Sequence, residues 1–396
     1  MGDFFKFHLT KNTKARREDE KYKKPSFFLC VLCELCAFVR WIFRFLFYLE
    51  TGLKTVLSIL VIFFFLGCPQ SKQLVPSEPV AAEEQIEEIL AEEQVVEEIA
   101  VSLPVVEEPV FAVIPLAARP GEPITVAYSG DLKGKTLNAV LLNSRGERLT
   151  KASFFDLGEG WQGVKAAILA VPSTARIGNA QIRIESDSGI VRELPFTIEN
   201  RVFVAETIPL NQANTDLRTV PDPQKTLESE ILWAIISKTG KDIYSDGLFT
   251  PPVTSTRRTS DYGDRRVYAY ANGTTDTSIH AGVDCGVPTG TPVMACAAGK
   301  VALARERIVT GNTVILEHLP GLYSLYYHMD SIAVSEGAVV AAGTLLGLSG
   351  STGLATGPHL HWEVRVSGEN ADPDAFLSRP LLDKEYIIDK LGTGSL

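Results

Sequence analysis

The pattern of hydrophobic and polar positions changes several times along the 396-residue chain. Two apolar stretches come first, a segment rich in Glu-Glu pairs follows, and short runs of alternating apolar residues begin near residue 110. Alternation with a period of two is typical of β-strands, because successive side chains of a strand point to opposite faces. The pattern therefore predicts a mainly β protein that follows an N-terminal membrane-directed segment and a spacer.

The two N-terminal apolar stretches differ in their charges. Residues 27–49 are interrupted by Glu34, Arg40 and Arg44, each of which is costly at the centre of a bilayer. Residues 55–67 form an uninterrupted apolar run that is preceded by Lys54. This run is short for a membrane span and suits the apolar region of a signal peptide.

The second stretch closes with Leu66-Gly67-Cys68 and resembles a bacterial lipoprotein signal. The resemblance implies that Cys68 is lipidated and becomes the new N-terminus. An uncleaved membrane anchor is the alternative, and both interpretations export everything after residue 68. A further hypothesis is that translation starts at Leu53, because residues 53–68 alone have the form of an ordinary signal.

The formal net charge of −10 is concentrated in one segment. Residues 1–68 carry 11 Lys or Arg against 6 Asp or Glu, whereas residues 69–110 carry 11 Glu and one Lys. Glutamates that repeat every four or five residues repel one another, so we predict a flexible acidic spacer over residues 69–110. The rest of the chain has no basic patch, which argues against nucleic acid as a partner.

Residues 111–206 contain short alternating apolar runs, such as ITVAY at 124–128, separated by turn sequences such as Pro120-Gly121. This spacing predicts a small immunoglobulin-like β-sandwich, acting as a spacer or binding module. A single helix is expected in the linker 207–249, with Asp222 as N-cap, Pro223 at its first position and Gly240 as its stop.

Four of the six histidines lie in two clusters and one site between them. In His280-Ala-Gly-Val-Asp284, a strand would place both polar side chains on one face, with open space at the intervening glycine. In Gly357-Pro-His-Leu-His361, His359 and His361 would share a face, and His328 would end a third strand. Two His and one Asp are the three-ligand set of a catalytic zinc site, which leaves a fourth position for water.

The order and spacing of these motifs resemble the lysostaphin/LytM-type cell-wall endopeptidases over residues 250–376. Further similarities are TSDYGDRR at 259–266, PTGTPVM at 288–294 and GSTGLATGP at 350–358. The resemblance implies a glycine-rich, antiparallel β-sheet domain at residues 250–378, followed by a C-terminal tail at 379–396. It also implies one Zn²⁺ bound by His280, Asp284 and His361, with His328 and His359 as catalytic residues.

Zinc can lower the pKa of a bound water to about 7 and so supply hydroxide at neutral pH. The expected reaction is hydrolysis of an amide bond in a peptidoglycan stem peptide or cross-bridge. His359 would act as general base, and His328 would stabilise the oxyanion or protonate the leaving amine. The sequence allows these two roles to be exchanged.

Several other polar residues have mainly structural interpretations. We expect a structural role for His318, and for Asn312 a turn position, favoured by the neighbouring Gly311, or a contact in the groove. Arg265 and Arg266 would bind a substrate carboxylate or pair with nearby acids. Cys285 and Cys296 would be free buried thiols or a disulfide.

Together these features predict an exported, membrane-tethered zinc endopeptidase of the bacterial cell envelope. Its expected partners are peptidoglycan peptides, the membrane through the N-terminus, and an envelope protein through the β-sandwich. Two alternatives are a non-enzymatic regulator that binds wall peptides in the same groove, and a structural lipoprotein whose sandwich carries the main function.

Overall fold

A computed structural model describes residues 108–132, 135–161 and 163–392. The predicted export signal or anchor, Cys68 and nearly all of the acidic spacer lie outside these residues. Within the described part of the chain, no helix is both long enough and apolar enough to cross a membrane.

The predicted β-sandwich is present as two sheets; its immunoglobulin-like classification stays a prediction. The first sheet has the order β1 (Val110–Ile114), β3 (Pro123–Ser129), β7 (Lys165–Ala170) and β6 (Phe155–Asp156). The second has the order β2 (Ala117–Ala118), β9 (Gly189–Ile198), β8 (Gly178–Ser186), β4 (Leu137–Asn143) and β5 (Arg148–Ser153).

The first sheet is buried on both of its faces. On one face Val113, Val126 and Leu169 pack into the core of the sandwich. On the other face Ile114 and Ile168 belong to a separate apolar cluster that includes residues of the C-terminal domain. Apolar side chains at consecutive positions of these strands are therefore buried in two different cores. The sandwich packs directly against the C-terminal domain.

Two helices, rather than the single predicted one, follow the sandwich. Strand β10 (Ala205–Pro209) leads to α1 (Gln212–Thr219) and α2 (Pro223–Ile236). Helix α2 has the predicted N-cap at Asp222, whose side chain accepts a hydrogen bond from the backbone N–H of Gln224, but it ends before Gly240. Helix α1 was missed because it is short and polar, with Thr215 as its only buried residue.

The C-terminal domain is built on a ten-stranded sheet whose strand pairs are antiparallel. The main path is β11 (Arg258–Ser260), β14 (Val283–Cys285), β21 (Leu360–Val366), β18 (Leu322–Ile332), β17 (Gly311–Leu319), β16 (Gly299–Arg307) and β19 (Val339–Val340). Strands β15 (Pro292–Met294), β20 (Leu345–Ser349) and β22 (Glu369–Ala371) pair off this path. The expected antiparallel β fold is confirmed.

A separate three-stranded sheet adjoins the large one. It contains β12 (Arg265–Ala269) and β13 (Thr275–Ile279), and β10 joins β12 in parallel. Residues 207–209 therefore belong to a sheet, so the segment after the sandwich is more than a linker.

The chain after residue 372 continues in regular structure rather than in a tail. A 3₁₀ helix spans Pro373–Leu377, and helix α3 spans Lys384–Gly392. Ile387 and Leu391 of α3 are buried in the same cluster as Ile114 of the sandwich. The amphipathic α3 thus covers the sandwich sheet that also faces the C-terminal domain.

Candidate metal centre

Strand register brings two of the three predicted ligands together. Asp284 on β14 lies directly opposite His361 on β21. His280 precedes β14, which begins only at Val283, so the predicted single strand from His280 to Asp284 is wrong. Instead, backbone hydrogen bonds with Gly263 and Asp264 hold His280 at the end of the β13 segment.

The three side chains converge on one point. His280 Nε2 lies 3.1 Å from Asp284 Oδ1 and 3.0 Å from His361 Nδ1. His361 Nδ1 lies 2.8 Å from the same Asp284 oxygen. All three residues are buried, and they form the one group of three potential metal ligands found in the described part of the chain.

Each of these side chains is held from behind by a second contact. His280 Nδ1 donates to the backbone oxygen of Asp261 at 2.8 Å, and Arg266 Nη2 donates to Asp284 Oδ2 at 2.6 Å. His361 Nε2 faces Glu363 Oε2 at 3.5 Å. Nε2 of His280, Oδ1 of Asp284 and Nδ1 of His361 therefore remain as inward-facing donor atoms, which is the arrangement that a metal site requires.

The electrostatics of the cluster favour positive charge at its centre. Burial raises the pKa of Asp284, but the neighbouring imidazoles of His280 and His361 hold it well below its usual range. Burial likewise opposes charge on His361, yet Asp284 and Glu363 raise the pKa of its imidazole to about 9. Burial lowers the pKa of His280. A buried carboxylate with two imidazoles is a suitable donor set for a divalent transition-metal ion.

His328 lies beside this cluster at a break in its strand. It has a left-handed backbone with φ of 61°, and β18 continues through it to Ile332, so the prediction that this strand ends at His328 is wrong. Its Nδ1 donates to the backbone oxygen of Thr352 at 2.8 Å. Because the bulge turns this side chain out of the regular alternation, His328 reaches the same region as His359.

His359 immediately precedes β21 and completes the group of four histidines. Its Nδ1 donates to the backbone oxygen of Gly357 at 2.8 Å, and its Nε2 lies 3.8 Å from Asp284 Oδ1. The rings of His328 and His359 have centroids 4.8 Å apart. Since each ring uses Nδ1–H for a carbonyl, each presents an unprotonated Nε2 when neutral.

Burial, together with the neighbouring imidazoles of His359 and His361, lowers the pKa of His328 to about 3. The imidazole of His328 is therefore neutral at physiological pH. Its position beside the metal cluster suits a group that takes part in proton transfer.

Gly282 does not leave open space between His280 and Asp284, as the sequence pattern predicted. A Cβ atom at this position would lie 2.2 Å from the backbone oxygen of Trp362. The glycine instead permits close approach of the loop before β14 to β21. That approach allows Asp284 and His361 to pair across the two strands.

The remaining polar residues have structural contacts. Arg266 pairs with Glu206 and Asp284, whereas Arg265 donates to the backbone oxygens of Gly263 and Ser173. The alternative of pairing with nearby acids is thus confirmed for Arg266. His318 is fully buried, as expected for a structural residue, with Nδ1 donating to the backbone oxygen of Ala298.

Asn312 and the two cysteines complete this group. Asn312 lies within β17, so its predicted turn position is wrong; its side chain donates to the backbone oxygens of Met329 and Asp330 beside His328. Cys285 and Cys296 are free and buried, so the thiol alternative is confirmed over the disulfide.

Two further carboxylates, those of Glu363 and Glu206, lie near the site and were not predicted from the sequence. Glu363 follows His361 by two positions on β21, and its carboxylate also pairs with Arg365. The period of two that joins His359, His361 and Glu363 is a signal that could have found it. Glu206 lies far away in the sequence and offers no comparable local signal.

Comparison with known proteins identifies the domain that carries this centre. The sequence profile of Peptidase family M23 matches residues 278–373, which include every histidine and the aspartate described above. These residues form an M23 peptidase domain. The resemblance to lysostaphin/LytM-type enzymes is thereby confirmed. Because M23 enzymes are metallopeptidases, the cluster of His280, Asp284 and His361 is a candidate metal site.

Relatives of the M23 domain include two curated bacterial enzymes. The chain is 36% identical over 135 residues to the DD-carboxypeptidase/endopeptidase Mpg of Neisseria meningitidis, covering 34% of this chain and 30% of Mpg. It is 38% identical over 118 residues to the peptidoglycan DD-endopeptidase ShyA of Vibrio cholerae, covering 30% of this chain and 27% of ShyA. The similarity thus spans less than a third of each relative.

Among solved structures, the M23 domain is similar to the catalytic domain of the antimicrobial peptidase lysostaphin from Staphylococcus simulans. The two are 32% identical, with a TM-score of 0.28 and coverage of 31% of this chain and 92% of the lysostaphin domain.

Proposed function

We propose that this protein is a zinc-dependent endopeptidase that hydrolyses amide bonds in peptidoglycan stem peptides or cross-bridges. The observation that carries the proposal is the convergence of His280 Nε2, Asp284 Oδ1 and His361 Nδ1 on one point in the M23 domain. The names of Mpg and ShyA, which describe a DD-carboxypeptidase/endopeptidase and a peptidoglycan DD-endopeptidase, support the substrate class.

Zinc is the metal that best suits the proposed ligands. Two imidazole nitrogens and one carboxylate oxygen form a common three-ligand set of catalytic zinc, whereas calcium and magnesium prefer sites made of oxygen atoms. When bound, zinc supplies a Lewis acid that activates water and polarises a carbonyl group.

We assign proton acceptance to His359 because its Nδ1 is taken up by the backbone oxygen of Gly357, whereas its Nε2 lies near Asp284 Oδ1 at the centre of the site. As water adds to the amide carbon, one of its protons passes to this nitrogen. The C–N bond then breaks, and the leaving nitrogen takes up the proton that His359 received. His328, the second imidazole at the site, also presents an Nε2 without a proton, so it stabilises the oxyanion or protonates the leaving amine only after taking up the water proton in place of His359.

The proposed place of action is the cell envelope. Residues 1–68 would export the chain and attach it to a membrane, either by lipidation of Cys68 or as an uncleaved anchor. The acidic residues 69–110 would then separate the membrane from the folded domains. In cells, Cys68→Ser should block processing if the lipoprotein hypothesis holds, and unchanged processing would favour the plain anchor.

Digestion of purified cell-wall sacculi tests the enzymatic proposal. The purified chain with zinc should release new muropeptides, and their masses should show which amide bond is cut. His361→Ala serves as the inactive control. A folded, zinc-loaded protein that binds sacculi without releasing peptides would instead support a non-enzymatic regulator.

A further inference from the structure

Glu206 lies outside the residues that match the M23 family, yet it contacts Arg266, which in turn contacts the proposed metal ligand Asp284. It is on β10, which follows the sandwich and pairs in parallel with β12. In this register Glu206 lies opposite Arg266. A strand from the preceding segment thus places a carboxylate behind the M23 domain.

A continuous chain of polar contacts links this carboxylate to a proposed ligand. Glu206 Oε1 accepts from Arg266 Nε and from Ser260 Oγ, each at 3.0 Å. Arg266 Nη2 in turn donates to Asp284 Oδ2 at 2.6 Å. The side chains become progressively less exposed along this chain, from 33% for Glu206 to 13% for Arg266 and 9% for Asp284.

The contact with Arg266 determines which oxygen of Asp284 faces the site. Because Oδ2 is occupied by the guanidinium, Oδ1 is the oxygen directed at His280 and His361. A guanidinium is planar and has donors at fixed angles. Anchoring its Nε on Glu206 therefore fixes where its Nη2 points.

We propose that Glu206 is a positioning residue that acts through Arg266 to hold Asp284 in the orientation required for metal binding. This inference rests on the proposed role of Asp284 as a metal ligand. It also extends the functional unit of the M23 domain backwards to β10, beyond the residues that the family match covers.

A purely structural role for Glu206, in attaching β10 to the sheet, would give a different result. Strand β10 is already held by five residue pairs with β12 and by flanking backbone hydrogen bonds from Arg265 to Val204 and from Leu210 to Ala269. The strand should therefore stay in place when the Glu206 carboxylate is removed. Removing the carboxylate should therefore weaken zinc binding at the metal site.

The test is zinc affinity of the full chain, measured by competition with a chromophoric chelator. Glu206→Ala should weaken zinc binding about 10- to 100-fold, as is typical when a residue behind a metal ligand is lost. Glu206→Gln, which keeps an acceptor oxygen at the same reach, should restore affinity to within about threefold of the unmodified chain. The visible spectrum of the Co²⁺ form should change in the alanine variant only.

Asp276→Asn is the matched control, because it breaks the Arg218–Asp276 ion pair on the same small sheet without touching Asp284. Its zinc affinity should be unchanged. A folded Glu206→Ala protein with unchanged affinity would overturn the inference, and so would equal losses in the alanine and glutamine variants. Failure of the unmodified chain to bind zinc would instead refute the metal site of the proposed function, and zinc binding without hydrolysis would refute only the enzymatic part.

Discussion

The sandwich and the M23 domain are both mainly antiparallel β structures, with the short β2 parallel to β9 in the sandwich, but they bury different side chains. The core between the two sandwich sheets is almost entirely apolar, with residues such as Ile124, Leu141 and Ile182, and the hydroxyl of its buried Thr150 donates to the backbone oxygen of Ala170. The M23 domain instead buries several charged or polar residues, including His280, Asp284, His318, His328, His361, Glu363 and Arg365.

This difference shows that the same backbone pairing can serve stability or chemistry. A buried polar group is costly unless it has a partner. Around the metal centre the partners form successive layers: Arg266 contacts Asp284, and Glu206 contacts Arg266. The sandwich contributes packing, whereas the M23 sheet uses part of its interior to hold reactive groups in fixed positions.

Among substitutions in the M23 domain, His361→Ala is expected to have the largest effect on zinc binding and activity. The change removes one of three proposed ligands, so zinc retention and peptide hydrolysis should both be lost. The fold should survive because the sheet is held by apolar packing. Metal content, muropeptide release and circular dichroism check this result, and a variant with full zinc and full activity would contradict the ligand assignment.

His328→Ala should separate catalysis from metal binding. Zinc should stay bound because this residue is not a proposed ligand, while hydrolysis should fall about a hundredfold or more, as for a lost proton-transfer or oxyanion group. Loss of zinc from the folded variant would place His328 among the ligands. The corresponding His359→Ala variant, with its pH–rate profile, would show which imidazole is the base.

Substitution in the sandwich core should lower the free energy of unfolding without changing zinc affinity. Ile182→Ala leaves a cavity at a fully buried position and should lower the free energy of unfolding by about 2–5 kcal/mol. Zinc affinity of the folded protein should not change. Ile182→Val is the milder control, with an expected loss of about 0.5–1.5 kcal/mol; weakened zinc binding in either variant would show that the sandwich core is coupled to the site.

The buried His318 should have a smaller effect, which is on the pH dependence of the free energy of unfolding. Burial lowers the pKa of His318 to about 4, below its ordinary value of about 6.5 in an unfolded chain. Below pH 6.5 the unfolded state therefore binds a proton that the folded state does not. This residue should cost up to about 3 kcal/mol of stability as the pH falls from about 6.5 to 4.

Denaturant unfolding across this pH range tests the effect of His318. His318→Gln, which keeps a donor and an acceptor, should show a flatter pH dependence than the unmodified protein. The sandwich contains no histidine, so it contributes no histidine-dependent change in stability over this pH range. Identical pH profiles for the two proteins would contradict the account of His318.

The main parts of the fold and the site could be predicted where the signal is local. Alternating apolar residues predicted the two β regions, and short spacings predicted His280, Asp284, His359 and His361 as a group. The bulge at His328 was not predictable, because a left-handed histidine within a strand leaves no pattern in the sequence.

Features that depend on distant pairing were also missed. The first sandwich sheet has apolar residues on both faces, but the sequence could not show that its second face packs against the M23 domain and α3. The contact between Glu206 and Arg266 depends on the register of β10 with β12, across 60 residues. Such registers are set by the tertiary structure.

Anomalous diffraction at the zinc absorption edge, from crystals of the zinc-loaded protein, tests the central claim most directly. We predict one strong peak in the M23 domain, about 2.0–2.2 Å from His280 Nε2, Asp284 Oδ1 and His361 Nδ1. His328 and His359 should lie outside bonding distance of this peak. A peak bonded to either of those two histidines, or no peak at the His-Asp-His cluster, would contradict the assignment.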